Sequence, residues 1–239
     1  MHAHDAQKNT LKPWSRTQWV IPPQANAEFV RAMEDVLDVH ARPHDPARPV
    51  VCLDELGKQW VAETRLPIPA QPSHPKQVDY EYERQGTANL FLTREPLVGQ
   101  RHVTMRRTAV DFAHEVRDLL EVRYPHAEKV VLVMDNRNIH KPAALYEAFK
   151  PTLARSLVER LEIHYTPKHG SGLNVAEIKL SVLSRQCLDR RIPDADTLTH
   201  EVAAWEQARN ADPRSVNWRF ITPDAPIKLK RLYPSIQDG

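Results

Sequence analysis

The distribution of apolar runs predicts an α/β fold, a mixed five-stranded sheet flanked by helices with helical appendages at both ends. Three observations carry that expectation. Pro49-Val50-Val51-Cys52-Leu53-Asp54-Glu55 and Lys129-Val130-Val131-Leu132-Val133-Met134-Asp135-Asn136 are unbroken apolar runs, as strands covered on both faces require, and each stops on an aspartate. Helical periodicity then alternates with strand-like runs through the second half of the chain, an order that reads β-β-β-α-β-α-β-α.

Taken in order, residues 1–48 read as a linker and one helix. Lys12-Pro13-Trp14 and Ile21-Pro22-Pro23 break structure, after which Phe29, Val30, Met33, Val36 and Leu37 fall on one face of a helix over 27–39. A buried strand up to Asp54 comes next, followed by a loop dense in proline at Pro67, Pro69, Pro72 and Pro75. Strands over 89–93 and 102–106 flank a turn at Gly99-Gln100, which makes them an antiparallel hairpin. Thr108 is placed to cap a helix over 110–123, whose stripe is Phe112, Ala113, Val116, Leu119 and Leu120. After the strand over 129–134, Pro142 opens a helix to 149, where its missing N–H costs nothing. A strand over 161–165 leads through Lys168-His169-Gly170-Ser171 into the helix that carries Glu177. The central unit is thus expected over 49–192, with a C-terminal extension over 193–239 containing a helix at 198–208.

Bulk properties exclude more than they assign. The chain has 239 residues, enough for a sizeable core, and a net charge of only +2, so nucleic-acid binding would have to rest on local basic patches. Cys52 and Cys187 both lie in apolar segments, which argues against a disulfide framework. Met1-His2-Ala3-His4 lacks the apolar stretch of a signal peptide and no run suits a membrane span, so the expected compartment is the cytoplasm.

Asp54 and Asp135 each fall where a strand is expected to end, and Glu177 falls in the first turn of a helix. Hard divalent cations prefer oxygen ligands, and two ions about 3.5–4 Å apart stabilise both the attacking and the leaving oxygen of an in-line phosphoryl displacement. Three carboxylates brought to one place suit that chemistry. Each also has a bland reading: an Asp after a strand commonly starts a loop, and Asn174-x-x-Glu177 has the spacing of a capping box. On the segment alone the cap is the better reading of Glu177. The same helix presents Glu177, Ser181 and Ser184 as a narrow polar strip beside Ala176, Leu180, Leu183 and Cys187.

Other chemistries fare worse. His140, His164 and His169 match no structural zinc spacing, and the six glycines form neither a GxxxxGK nor a GxGxxG loop. A GxSxG nucleophile elbow is absent too. Arg106, Arg107, Lys168, His169 and Arg185 are candidate phosphate contacts, joined by Arg190, Arg191, Lys228, Lys230 and Arg231. Basic residues also serve as ordinary solvated surface.

From about residue 11 to 236 the chain resembles the DDE transposases of bacterial insertion sequences, specifically the insertion-sequence-630 family within the mariner superfamily. The resemblance rests on the two aspartate-ending runs above, Asp79-Tyr80-Glu81-Tyr82, Arg84-Gln85-Gly86-Thr87, Tyr165-Thr166-Pro167-Lys168-His169-Gly170-Ser171 and Leu173-Asn174-Val175-Ala176-Glu177. Trp218-Arg219-Phe220 and Leu232-Tyr233-Pro234 are similar to the family's tail. It implies an RNase H-like fold and metal-dependent cleavage and strand transfer at transposon ends, with insertion at TA dinucleotides. Asp54, Asp135 and Glu177 become the catalytic and metal-binding triad, holding two Mg²⁺ or Mn²⁺ ions. Water attacks the strand at the element's end, then the freed 3′-hydroxyl attacks target DNA. Lys168, His169 and Asn136 would support the site or contact phosphate. A homodimer on DNA, in the bacterial cytoplasm at the nucleoid and away from any membrane, is the implied working form.

The chain departs from the family pattern where Gly172 replaces a usual Trp, Ile139 a usual Thr and Pro226 a usual Arg. The family's N-terminal helix-turn-helix modules are not recognisable, so the expectation is a catalytic portion, with such modules supplied by a separate polypeptide. Two alternatives stand beside it: a non-catalytic remnant serving as a DNA-binding or oligomerisation module of a split transposase, and a general RNase H-like nuclease.

Overall fold

A computed structural model describes residues 25–106, 110–136 and 140–234. Thr108, Arg107, Ile139 and the proline-broken segments before residue 25 lie outside them. Five strands form one sheet: β1 (Val50–Glu63), β2 (Tyr82–Arg94), β3 (Arg101–Arg106), β4 (Val130–Met134) and β5 (Leu161–Tyr165), in the order β3-β2-β1-β4-β5. The pairs β1–β2 and β2–β3 are antiparallel, while β1–β4 and β4–β5 are parallel. The sheet is therefore mixed, as the apolar runs predict.

Central β4 is buried at all five positions, which is why its run has no polar alternation. β1 departs from expectation. It does not stop at Asp54 but continues to Glu63, because antiparallel partners in β2 extend all the way to Tyr82. Asp54 thus lies within a 14-residue strand. The hairpin between β2 and β3 turns as expected: Glu95 N–H donates to Gln100 O at 3.0 Å, and Gly99 adopts φ +88°, a conformation that suits glycine.

Helices cover both faces. On one side lie α2 (Asp111–Asp118), which continues as a π-helical turn over Leu119–Arg123, α3 (Ala143–Ala148) and α4 (Pro151–Glu159). Only one helix was expected between β4 and β5. Pro151 stands in the first turn of α4, where it starts a second helix instead of ending the first. These helices bury Phe112, Val116, Leu120, Leu145 and Leu157 against Val51, Leu53 and Leu132.

The opposite face carries α5 (Val175–Leu183), extended by a π-helical turn over Ser184–Leu188, and α6 (Ala195–Ala211). Here Val175, Leu180, Leu183 and Leu198 pack on Cys52, Leu90 and Val133, the alternate residues of the same strands. α6 begins three residues before the expected 198 because Asp194 caps it, accepting from Thr197 N–H at 2.7 Å. The N-terminal helix α1 (Ala27–His40) is capped by Asn26 and joins the chain's far end. Its Phe29, Val30, Met33 and Leu37 pack on Ala225 of the short helix α7 (Ala225–Lys228) and on Leu232. Asn26 N–H donates to Leu232 O at 2.9 Å. Both cysteines are buried and free. Among the described residues no helix is long and apolar enough to cross a membrane.

Candidate functional site

Parallel pairing sets β1 and β4 side by side with Cys52 opposite Val133, so Asp54 and Asp135 follow at adjacent points of the sheet. α5 then descends along the same face. Asp54, Asp135 and Glu177 line one cavity of about 370 Å³, together with Glu55, Asn174, Ser181 and Ser184. The polar strip read from the helix periodicity is the cavity's wall.

Each acid is held differently. Asp54 is 7% exposed and its Oδ1 accepts from Glu55 N–H at 2.8 Å. Asp135 is hydrogen-bonded to Nδ1 of His140, a fully buried ring whose Nε2 lies 3.8 Å from Glu55 Oε2. Burial opposes a charge on His140, yet hydrogen bonds and charge from Asp135 and Glu55 outweigh it and push its pKa up to about 9. At neutral pH the imidazolium therefore sits between two carboxylates. Tyr165 O–H donates to His140 O at 3.0 Å, tying this residue to β5 as well.

Glu177 is not the second half of a capping box. Asn174 does cap α5, accepting from Ala176 N–H at 3.0 Å, but its own N–H donates to Ser171 O at 2.8 Å and leaves nothing for Glu177 to reach. Glu177 Oε2 is buried and accepts no hydrogen bond among the described residues. A buried carboxylate oxygen without a donor is costly, and a cation is the partner its chemistry calls for. Among the described residues no group of three or more His, Cys, Asp or Glu side chains is close enough to hold a single ion. The acids line a shared space and do not converge on one point.

None of the basic candidates among the described residues lines this cavity, and Arg107 lies outside those residues. Arg106 is bonded to Asp118 and lies 3.8 Å from Glu115, on the α2 side of the sheet. Lys168 and Asn136 line a separate cavity of about 530 Å³ between α1 and the end of β5. Arg185 lines a third, of about 270 Å³, between α5 and α6. His169 occupies the turn before α5 at φ 66°. A cysteine nucleophile loses its ground, because burial pushes Cys52 up to about 12 and raises Cys187. The sequence reading missed His140 as the partner of Asp135. Its spacing, five residues after an aspartate that ends a strand, was the available signal.

A mixed sheet in this order, with helices on both faces and acids gathered beside its central strands, defines an RNase H-like protein. The family model described as DDE superfamily endonuclease matches residues 49–199, well over half of the chain, and the chain belongs to that family. The structure of the Mos1 mariner paired end complex with Mn is similar in fold, with a TM-score of 0.50 and 18% identity over 81% of this chain and 59% of that one. The Mos1 strand transfer complex gives 0.52 and 14%, covering 81% and 58% of the two chains. The mariner Mos1 paired end complex with Mg gives 0.52 and 15%, covering 92% and 67%. The chain spans about three fifths of the length of the first two. No curated protein matches it.

Proposed function

We propose that the chain is the catalytic portion of a transposase of the insertion-sequence-630 family, with residues 49–192 as its catalytic unit. Asp54, Asp135 and Glu177 would hold two divalent ions, Mg²⁺ or Mn²⁺. What such ions supply when bound is charge stabilisation of the attacking and leaving oxygens at the scissile phosphate. The observation that carries the reading is the common cavity of the three acids, with Glu177 Oε2 buried and without a donor among the described residues.

The protein's own residues do the arranging. His140 orients Asp135 from behind, and the Ser181 and Ser184 hydroxyls continue the polar wall beside Glu177. DNA carrying transposon ends, and target DNA containing TA, are the substrates this reading requires. A homodimer on DNA and a separate helix-turn-helix polypeptide are its implied partners. Lys168, His169, Arg106, Arg107 and Arg185 are the candidate backbone contacts.

Asp135→Asn tests the reading. It is expected to remove Mg²⁺-dependent strand cleavage by at least about a hundredfold while leaving the circular-dichroism spectrum unchanged. Equal cleavage by the variant would sink the mechanism. The rival reading is the non-catalytic remnant, which the departures at Gly172, Ile139 and Pro226 favour. It requires that calorimetric titration with Mn²⁺ give no heat of binding, whereas the catalytic reading requires binding that Glu177→Ala weakens.

A further inference from the structure

Asn174 is 1% exposed and makes two side-chain bonds in opposite directions. Its Oδ1 accepts from Ala176 N–H at 3.0 Å, and its Nδ2 donates to Leu53 O at 2.9 Å. The amide orientation follows from the partners: Ala176 N–H only donates and a carbonyl only accepts. Leu53 O belongs to the peptide unit that leads into Asp54, and Ala176 N–H lies in the first turn of α5, next to Glu177. One buried side chain therefore spans the gap between the two acids' backbones. The preceding residue is anchored as well, because His40 Nε2 bonds Leu173 O at 2.9 Å.

A helix cap needs only the acceptor. Asn26 and Asp194 cap α1 and α6 with one oxygen each, accepting from Phe29 and Thr197 N–H. The donor to Leu53 is the addition that a cap does not explain.

We propose that Asn174 is a positioning residue which, through this second bond, sets the placement of Glu177 relative to Asp54 and hence the affinity of the acidic cavity for divalent cations. The inference rests on the metal-site reading above. Asn174→Ser keeps an oxygen for Ala176 N–H, but its single hydroxyl, one bond shorter than the amide, does not span from there to Leu53 O.

Free Mn²⁺ followed by electron paramagnetic resonance in a titration of the metal-free protein reads the effect directly. Asn174→Ser is expected to raise the Mn²⁺ dissociation constant by about tenfold, the lower end of what is lost when a partner of a metal ligand is removed. Asn26→Ser, the same change at a cap remote from the acids, is expected to lower the melting midpoint without altering Mn²⁺ affinity. Asn174→Asp keeps the cap and places an oxygen against the Leu53 carbonyl; it too is expected to bind more weakly, although its added negative charge alone would tighten binding. Binding by Asn174→Ser equal to that of the unsubstituted protein, or tighter binding by Asn174→Asp, overturns the positioning role alone. Absence of Mn²⁺ binding by the unsubstituted protein overturns the metal-site reading and this inference together.

Discussion

Two glutamates on opposite faces of the sheet are held in opposite ways. On the α2 face Glu115 is fully buried and surrounded by donors: Arg123 at 2.6 Å, the Thr104 hydroxyl, and Arg106 at 3.8 Å. Arg123 reaches on to Thr93 Oγ1 at 2.8 Å, so the network knits β2, β3 and the helix together. On the α5 face Glu177 is only half-buried as a residue, yet its Oε2 is hidden and receives no bond among the described residues. A satisfied carboxylate fixes architecture. The Glu177 oxygen, unbonded among the described residues, retains capacity for a cation, and the contrast separates Glu177 from Glu115; Asp54 and Asp135, both hydrogen-bonded, are candidates through the cavity they share with Glu177.

That contrast can be broken by measurement. Glu115→Ala leaves Arg123 without its carboxylate and the Thr104 hydroxyl without its acceptor, while Arg106 keeps Asp118, and is expected to cost about 3 kcal/mol in urea denaturation. A loss below about 1 kcal/mol would remove the distinction between the faces. Glu177→Gln is expected to leave metal-free stability unchanged or raise it by up to about 1 kcal/mol, since it discharges an oxygen that has no donor. Marked destabilisation would make Glu177 a structural acid like Glu115.

His40 sharpens the same comparison through pH. Burial lowers its pKa from 6.5, against the raising effect of the Leu173 carbonyl, so the folded protein holds it neutral where the unfolded chain takes up a proton. Its contribution is fully present above pH 6.5 and is lost as pH falls through that value toward the lower folded one. His40→Gln is therefore expected to flatten the fall in melting midpoint between about pH 7 and pH 5. An unchanged slope would show that the anchor at Leu173 does not depend on a neutral ring. The smallest effect belongs to Gly172, beside which an added Cβ meets nothing within 4 Å. Gly172→Ala is expected to stabilise by about 0.4–1 kcal/mol, by restricting the unfolded chain.

Legibility in the sequence followed the source of each constraint. β4 and β5 were readable because one is a continuous apolar run and the other a short run ended by Thr166-Pro167. The outer halves of β1 and β2 were not. Gly57-Lys58-Gln59 and Arg84-Gln85-Gly86-Thr87 carry no apolar alternation, and their strand conformation comes from pairing with each other. Pro151 disguised α4, because a proline that opens a helix resembles one that closes the helix before it. Of the site, the three acids were visible as types and positions. Two facts needed coordinates: that Asn174 N–H is taken by Ser171, and that His140 meets both Asp135 and Glu55. The first depends on where a backbone group points after the chain has folded, the second on which side chains the sheet and the following loop bring together.

The seam between Asn26 and Leu232 has a consequence for how the molecule is made. The apolar face of α1 leaves the ribosome before Ala225 and Leu232, against which Phe29, Val30, Met33 and Leu37 close. Until those residues are made that face lacks these partners, and His40, at the end of the same helix, lacks the packing that holds it against Leu173. The His40 anchor beside the acidic cavity therefore settles only after every strand of the sheet has been made.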